Sequence, residues 1–282
     1  MKDSALQFMI NNGLTRGCVV RIDDTIKDIL SKRSYKKEVA KIMSEAISLA
    51  VCFTYSLKTK GMFSLRIDGE GAVKLLVAEV NEKGDIRAYA NYDKDADLGD
   101  GSLLSLFKAG TISFTFEMPT KSERYQGVVE LNKKTLSECA EEYFKVSEQI
   151  DTVIKIATDD ECRAGAFFIQ KMPSSGGNIS MVEADDADDA WRNAIIMLGT
   201  LKDEELLSKE VAKQDLVYRL YHESSPVLLG KKGIKFGCRC SYEKAFSAVS
   251  SLKEEDRGDL QEFKVLCEFC GQEYVVKRED LK

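Results

Sequence analysis

The chain has 282 residues, of which 44% are hydrophobic and 31% are charged. This length allows one sizeable core plus a small appended module, and the composition is that of a soluble globular protein. A net charge of -6 argues against a protein whose main ligand is nucleic acid, and the absence of a run of about eighteen apolar residues predicts no membrane span. The first residues lack a signal peptide pattern, so we expect a cytoplasmic protein.

Alternating apolar residues at the N-terminus predict a β-hairpin. Leu6, Phe8 and Ile10 fall on one face, residues 11–13 supply a turn, and residues 16–22 form the second strand. Asp23 and Asp24 then predict the cap of a short helix that ends near residue 32.

The next long segment, residues 36–57, carries apolar residues with a period of about 3.6 and is predicted to be the main helix of the first domain. After it, short turns separate segments that alternate in polarity, which indicates antiparallel strands. The predicted elements are strands at 61–67, 73–80, 85–89, 111–117, 125–131, 153–157 and 164–170, and a helix at 135–147. Grouped strands with helices between them predict an α+β fold.

A serine- and glycine-rich stretch at residues 174–178 is the predicted domain boundary. We therefore assign residues 1–178 to an N-terminal α+β domain of antiparallel sheet and helices. Residues 179–231 are predicted to form a charged, amphipathic helical linker, which needs a surface to lie on. Taken alone, this pattern is typical of an ordinary helical subdomain packed on the core.

Two cysteine pairs mark the C-terminal module, which we assign to residues 232–282. Cys238 and Cys240 form a C-x-C motif, Cys267 and Cys270 form a C-x-x-C motif, and 26 residues separate the two. Four thiols at this spacing predict one zinc ion in a tetrahedral site, and Gly271 suits the turn after the second pair. Most such sites only hold a fold together, but two cysteines in C-x-C can also form a strained, easily reduced disulfide.

The remaining cysteines and the single histidine are predicted to have no ligand role. Cys18, Cys52, Cys139 and Cys162 are scattered singly and are most simply small core residues. His222 lies at the end of a predicted helix, and four cysteines already complete the shell of a zinc ion.

A local basic patch precedes and overlaps the first cysteine pair. It consists of Lys231, Lys232, Lys235 and Arg239. We interpret it as offsetting the double negative charge of a zinc tetrathiolate. The alternative is a constitutive zinc knuckle that docks a nucleic acid or a protein partner through these side chains, and the overall acidity argues against nucleic acid.

The sequence around the cysteines resembles that of a known protein family. The segments F-G-C-R-C-S at residues 236–241 and C-E-F-C-G-Q-E-Y at residues 267–274 are similar to the zinc-binding end of the thirty-three-kilodalton heat-shock chaperones, redox-regulated holdases of bacteria. Further similarity covers G-D-I-R-A-Y at 84–89, Y-Q-G at 125–127 and Y-F through S-E-Q at 143–149.

This resemblance implies a redox switch. It implies that Cys238, Cys240, Cys267 and Cys270 hold zinc while reduced, and that oxidation expels zinc and forms the disulfides Cys238 with Cys240 and Cys267 with Cys270. The linker would then be a metastable cover that releases and lets the protein bind unfolded clients without ATP. The resemblance also implies a homodimer in the active state.

An energetic argument agrees with this hypothesis. A module of about fifty residues buries too small a core to be securely stable alone, whereas a structural zinc ion contributes about 10–16 kcal/mol of apparent folding free energy. Loss of the metal should therefore unfold the module. The chain shows no acid/base or nucleophile constellation and no nucleotide loop, so we do not predict an enzyme.

Overall fold

The computed structural model describes residues 3–56, 61–118, 124–172 and 181–281. Its strands are β1 (Ser4–Ile10), β2 (Thr15–Ile22), β3 (Met62–Gly69), β4 (Val73–Asn81), β5 (Asp85–Tyr92), β6 (Gly110–Glu117), β7 (Arg124–Glu130), β8 (Thr152–Thr158), β9 (Ala164–Lys171), β10 (Val227–Gly233), β11 (Lys235–Phe236), β12 (Glu262–Leu266) and β13 (Glu273–Lys277). The helices are α1 (Asp24–Ser31), α2 (Lys37–Ser56), α3 (Leu103–Phe107), α4 (Leu136–Tyr143), α5 (Met181–Gly199), α6 (Asp203–Leu207), α7 (Lys213–Tyr221), α8 (Tyr242–Ser250) and α9 (Glu254–Arg257). The predicted α+β class is confirmed, while the predicted boundary at 174–178 lies outside the described residues.

Two sheets enclose the main helix. The first sheet has the antiparallel order β10-β1-β2-β9-β8, and the second has the order β11-β5-β4-β3-β6-β7. Helix α2 packs against strands of both sheets, so nearly all of its side chains are buried. By length and composition α2 could cross a membrane, but 89% of its apolar window is buried inside the protein, as in the core helix of a globular domain.

The first sheet buries both of its faces. Cys18, Val20 and Phe168 point toward α2 and belong to the main core. Phe8 and Phe167 point the other way, toward α5, α6 and α7, which we call the linker layer. Because side chains alternate across a strand, the predicted N-terminal hairpin with Leu6, Phe8 and Ile10 on one face is what this second core requires. The linker layer contributes the buried residues Trp191, Ala194, Leu198, Leu206, Leu216, Val217, Leu220 and Tyr221.

The C-terminal module has a third and much smaller core. Its buried hydrophobic residues are Ala245, Val249, Phe263 and Val276, which join α8 to the hairpin of β12 and β13. Three of these side chains stabilise the fold by about 1.5–3 kcal/mol each and alanine by less, which is little against the conformational entropy of some fifty ordered residues. The module therefore needs a further source of stability.

Three local features differ from the sequence predictions. The helix predicted for residues 135–147 is regular only over α4 and continues as a π-helical turn, Phe144–Glu148. Asp23 is the N-cap of α1 but its side chain makes no capping bond, because it pairs with Lys27 and Lys209 instead. The end of the segment predicted as helical is strand β10, which pairs with β1 and extends across residue 231.

Candidate metal centre

The two cysteine pairs lie at the ends of short elements that are packed together. Cys238 and Cys240 stand between β11 and α8, and Ser241 caps α8 by accepting a hydrogen bond from the backbone N–H of Lys244. Cys267 and Cys270 lie in the turn between β12 and β13. The antiparallel β12–β13 pairing and the packing of α8 on β13 bring the two turns face to face.

The four thiols form a compact cluster. Their Sγ atoms all lie within 4.8 Å of one another, with Cys238 Sγ 3.6 Å from Cys267 Sγ and Cys240 Sγ 3.5 Å from Cys270 Sγ. A tetrahedral zinc site with Zn–S bonds of about 2.3 Å has S–S edges of about 3.8 Å. The four sulfur atoms therefore fit a metal ion of this size and coordination.

Backbone donors surround the sulfur atoms. The N–H of Cys240 donates to Cys238 Sγ, those of Phe269 and Cys270 donate to Cys267 Sγ, and that of Gln272 donates to Cys270 Sγ. Hydrogen bonds of this kind stabilise thiolates, which are the form that binds a metal. Gly271 has a φ of +73°, and its N–H closes the turn on the carbonyl oxygen of Cys267 at 2.9 Å, as predicted for the knuckle.

The pKa values of Cys238 and Cys270 are shifted in opposite directions. Burial alone would raise the pKa of Cys238, but hydrogen bonds from its neighbours lower that pKa to about 7. Burial, and then the neighbouring thiols, raise the pKa of Cys270 to about 12. One negative charge is thus accommodated and further charges are opposed, which is the situation that a bound divalent cation relieves.

The turn that carries Cys267 and Cys270, which we call the metal loop (residues 267–271), also contacts the N-terminal domain. Phe269, between the two cysteines, lies with its ring centroid 3.9 Å from Arg87 Cζ and 4.8 Å from the ring of Tyr89, at 78°. Its neighbour Glu268 forms an ion pair with Arg33 at 2.8 Å. Sequence analysis gave these residues no role, although Arg87 and Tyr89 lie in G-D-I-R-A-Y and the segment C-E-F-C contains Glu268 and Phe269.

Two members of the basic patch pair with carboxylates of the second sheet. Arg239 forms an ion pair with Glu79, which also accepts from Arg87 Nε at 2.6 Å. Lys235 lies 3.5 Å from Asp85. These cations neutralise carboxylates on β4 and β5 and so attach the first cysteine pair to the second sheet. The same contacts engage two of the four side chains that supported the alternative of a nucleic-acid-binding knuckle.

The other cysteines and the histidine lie away from the cluster. Cys18, Cys52, Cys139 and Cys162 are buried in the main core, which confirms their predicted placement. His222 is largely exposed and lies beside Glu223, with 3.8 Å between the two side chains. A neighbour of the cluster that sequence analysis missed is Tyr274, whose hydroxyl donates to Cys240 Sγ at 3.1 Å.

Comparison with known proteins places these features in a family. The model of the family described as Hsp33 protein matches residues 3–277. The 33 kDa chaperonin of Pseudomonas fluorescens (strain SBW25) is 30% identical over 284 residues, covering 99% of this chain and 92% of that protein. The 33 kDa chaperonin of Photorhabdus laumondii is 31% identical over 287 residues, covering 99% and 95%. The crystal structure of the 33 kDa chaperonin from Thermotoga maritima has the same fold, with a TM-score of 0.82, 20% identity and coverage of 100% of this chain and 97% of that one.

Proposed function

The chain belongs to the Hsp33 family, and on that premise we propose that it is an ATP-independent chaperone which oxidation switches from a closed to a client-binding state. The main observation in support of this proposal is that the protein has three separate hydrophobic cores, each packed against the next. A four-cysteine cluster holds a small module, the module is docked on the second sheet, and a linker layer covers the apolar outer face of the first sheet.

Cys238, Cys240, Cys267 and Cys270 are the residues that we assign to the metal, and the thiolate set favours zinc. When bound, zinc would tie the two turns together and neutralise the charge of their thiolates. The cysteines themselves do the sensing. A thiolate attacks a peroxide to give a sulfenic acid and hydroxide, and the neighbouring thiol then displaces water to form a disulfide, with loss of two electrons per disulfide.

The pairing of the disulfides decides what oxidation does to the module. Pairs within each motif, Cys238 with Cys240 and Cys267 with Cys270, leave the two turns without a link, so the small third core loses its main support. Pairs across the motifs would keep the turns joined, and the shortest sulfur contacts in the reduced structure are of that kind. We propose the pairing within motifs, which peptide mapping of the oxidised protein distinguishes from the other.

The contacts of the metal loop connect this event to the N-terminal domain. Phe269 can lie on Arg87 and Tyr89 only while the turn between Cys267 and Cys270 keeps its shape. Beside it, β11 pairs with β5 and leads directly into Cys238, while β10 joins the linker layer to β1. Unfolding of the module would therefore weaken these strand pairings and destabilise the docked end of the linker.

Release of the linker layer would uncover a large apolar surface. Phe8 stacks on Tyr221, with ring centroids 6.0 Å apart, and the Tyr221 hydroxyl donates to the carbonyl oxygen of Ala194 at 3.1 Å. Each such side chain stabilises the docked state by about 1.5–3 kcal/mol when fully buried. Once exposed, the same side chains on both surfaces would bind the apolar segments of unfolding proteins.

The predicted division into residues 1–178, 179–231 and 232–282 remains our proposal for the domains, and the three cores support it. We propose that the clients are unfolded or oxidatively damaged proteins, that the active form is a homodimer, and that the protein works in the cytoplasm without an enzymatic reaction of its own.

A substitution in the linker layer tests whether that layer is the cover. Val217 is fully buried on α7, and Val217→Asp places an uncompensated charge in the second core, at a cost of about 3–5 kcal/mol. We expect the reduced variant to keep its metal and yet suppress aggregation of a chemically unfolded client. Release is followed by the fluorescence of Trp191, the single tryptophan, which is 8% exposed.

The matched control is Tyr218→Asp, because Tyr218 is the next residue on the same helix and is 48% exposed. This variant should behave as the wild type does. A Val217→Asp protein whose linker is released but which binds no client would contradict the proposed cover.

A further inference from the structure

A cavity between the linker layer and the first sheet has an unusual lining. Its volume is about 30 Å³, and Arg21 on β2 and Lys213, the first residue of α7, both line it. Lys213 is 3% exposed and Arg21 is 8% exposed. Two cations are therefore buried together at the contact between the linker and the core.

Neither cation has a carboxylate partner in the part of the chain that the structure describes. The Arg21 guanidinium donates to the backbone carbonyl oxygens of Glu205, Leu206 and Val211, which are neutral acceptors. The Lys213 ammonium group has no hydrogen-bond partner among the described residues. Burial, together with the positive charges of Arg21 and Lys231, lowers the pKa of Lys213 to about 8.

The carboxylates at the edge of the cavity are already engaged. Asp3 accepts from the backbone N–H groups of Asp23 and Thr25, at 2.9 and 2.6 Å. Asp23 forms ion pairs with Lys27 and Lys209. The remaining cation of the lining, Arg163, pairs with Asp159. Asp3 is thus the one carboxylate of the lining whose charge is shared with Arg21 and Lys213, so this pair of cations keeps an excess of positive charge.

The backbone adds to this charge. Helix α7 begins at Lys213, and its N-cap, Ala212, has no side chain that could accept a hydrogen bond. The N-terminus of a helix carries unsatisfied N–H groups and the positive end of the helix dipole, and both favour an anion. The buried ammonium group of Lys213 and the uncapped N-terminus of α7 therefore lie together at this cavity.

From these observations we infer that the cavity binds a small anion of the size of chloride between Lys213 and Arg21. A water molecule could accept from Lys213 but would leave the excess positive charge uncompensated, and burying uncompensated charge is costly. A cavity of about 30 Å³ has room for one or two water-sized particles, which suits a monatomic ion better than sulfate or phosphate.

The site has a consequence for the linker. Its ligands come from β2 on one side and from α7 on the other, so the complete site exists only while the linker layer is docked. An anion that binds only the docked state stabilises that state through mass action, and an anion concentration ten times the Kd shifts the ratio of docked to released protein about elevenfold. The inference of anion binding does not depend on the proposed function, whereas its effect on activation does.

The test follows Trp191 fluorescence of the full-length reduced protein during urea unfolding, at constant ionic strength, in sodium chloride, sodium gluconate or sodium sulfate. We expect the midpoint for linker release in the wild type to exceed that of Lys213→Met by more in chloride than in gluconate or sulfate, because general effects of each salt on stability act on both proteins alike. Lys231→Met removes a nearby exposed charge that does not line the cavity, and it should retain the difference.

Crystals soaked in sodium bromide provide a direct measurement that does not depend on stability. An anomalous bromide peak between Lys213 and Arg21 in the wild type, and no peak in Lys213→Met, would support the site. A difference between wild type and Lys213→Met that is the same in chloride and gluconate, or the absence of a bromide peak in the wild type, would overturn the inference.

Discussion

Removal of the metal, or replacement of both Cys267 and Cys270 by serine, should unfold the C-terminal module and leave the main core folded. The third core buries only Ala245, Val249 and Phe263 beside Val276, whereas a structural zinc site supplies about 10–16 kcal/mol of apparent folding free energy. Serine lacks the thiolate that such a site requires. The folding free energy lost with the metal should therefore exceed the stability of the module.

Hydrogen exchange tests this prediction by measuring the amide protection of each strand and helix. Amides of β12 and β13 should lose their protection in the Cys267→Ser, Cys270→Ser protein, while those of β2 and β9 should keep it. The control is Cys162→Ser, which changes a cysteine of the main core and should leave the metal content unchanged. Protected β12 and β13 amides in the double-serine protein would show that the module is stable without its complete four-cysteine site.

Phe269→Ala should separate metal binding from docking. The phenylalanine is not a ligand, so the metal content should stay at the wild-type level. Its ring nevertheless contacts Arg87 and Tyr89, and a cation–π contact of about 0.5–2 kcal/mol plus an aromatic pair of about 0.5–1.5 kcal/mol would be lost. Together these contacts correspond to a change of about five- to several-hundred-fold in the ratio of docked to undocked module.

We expect this variant to respond to less oxidant than the wild type, with faster exchange of the Lys235 and Gly237 amides, which donate to the carbonyl oxygens of Gly84 and Ile86. Leu266→Ala is the matched control, because Leu266 precedes Cys267 in the chain and is 52% exposed. A Phe269→Ala protein with an unchanged oxidant threshold would show that docking of the metal loop does not control release. Loss of metal from the variant would show that the ring supports the metal site itself.

Local patterns were sufficient for much of the N-terminal domain. The hairpin of β1 and β2, the antiparallel run of β3, β4 and β5, and the long helix α2 were predicted because residues close in sequence form these contacts. The cysteine spacing likewise predicted the cluster, since each motif is a single turn and the structure only had to bring two turns together.

Contacts between distant segments could not be predicted in this way. The segment V-L-L-G-K-K-G at 227–233 has no strand alternation and becomes β10 because β1 offers it an edge. Strand β11 has two residues and exists only through its pairing with β5. The partner of Arg239 is Glu79, a residue of β4 that no local pattern connects to the cysteines. The charges of the basic patch were visible in the sequence, but their partners were not.

One measurement tests the redox switch most directly. A chemically unfolded client is diluted into reduced protein or into protein treated with peroxide under mild heat, and light scattering and zinc release are recorded in the same tube. We predict that suppression of aggregation rises together with zinc release and that a thiol reductant plus zinc reverses both. Zinc that stays bound after oxidation, or zinc that leaves without any gain in client binding, would contradict the switch and leave the four cysteines as a structural site.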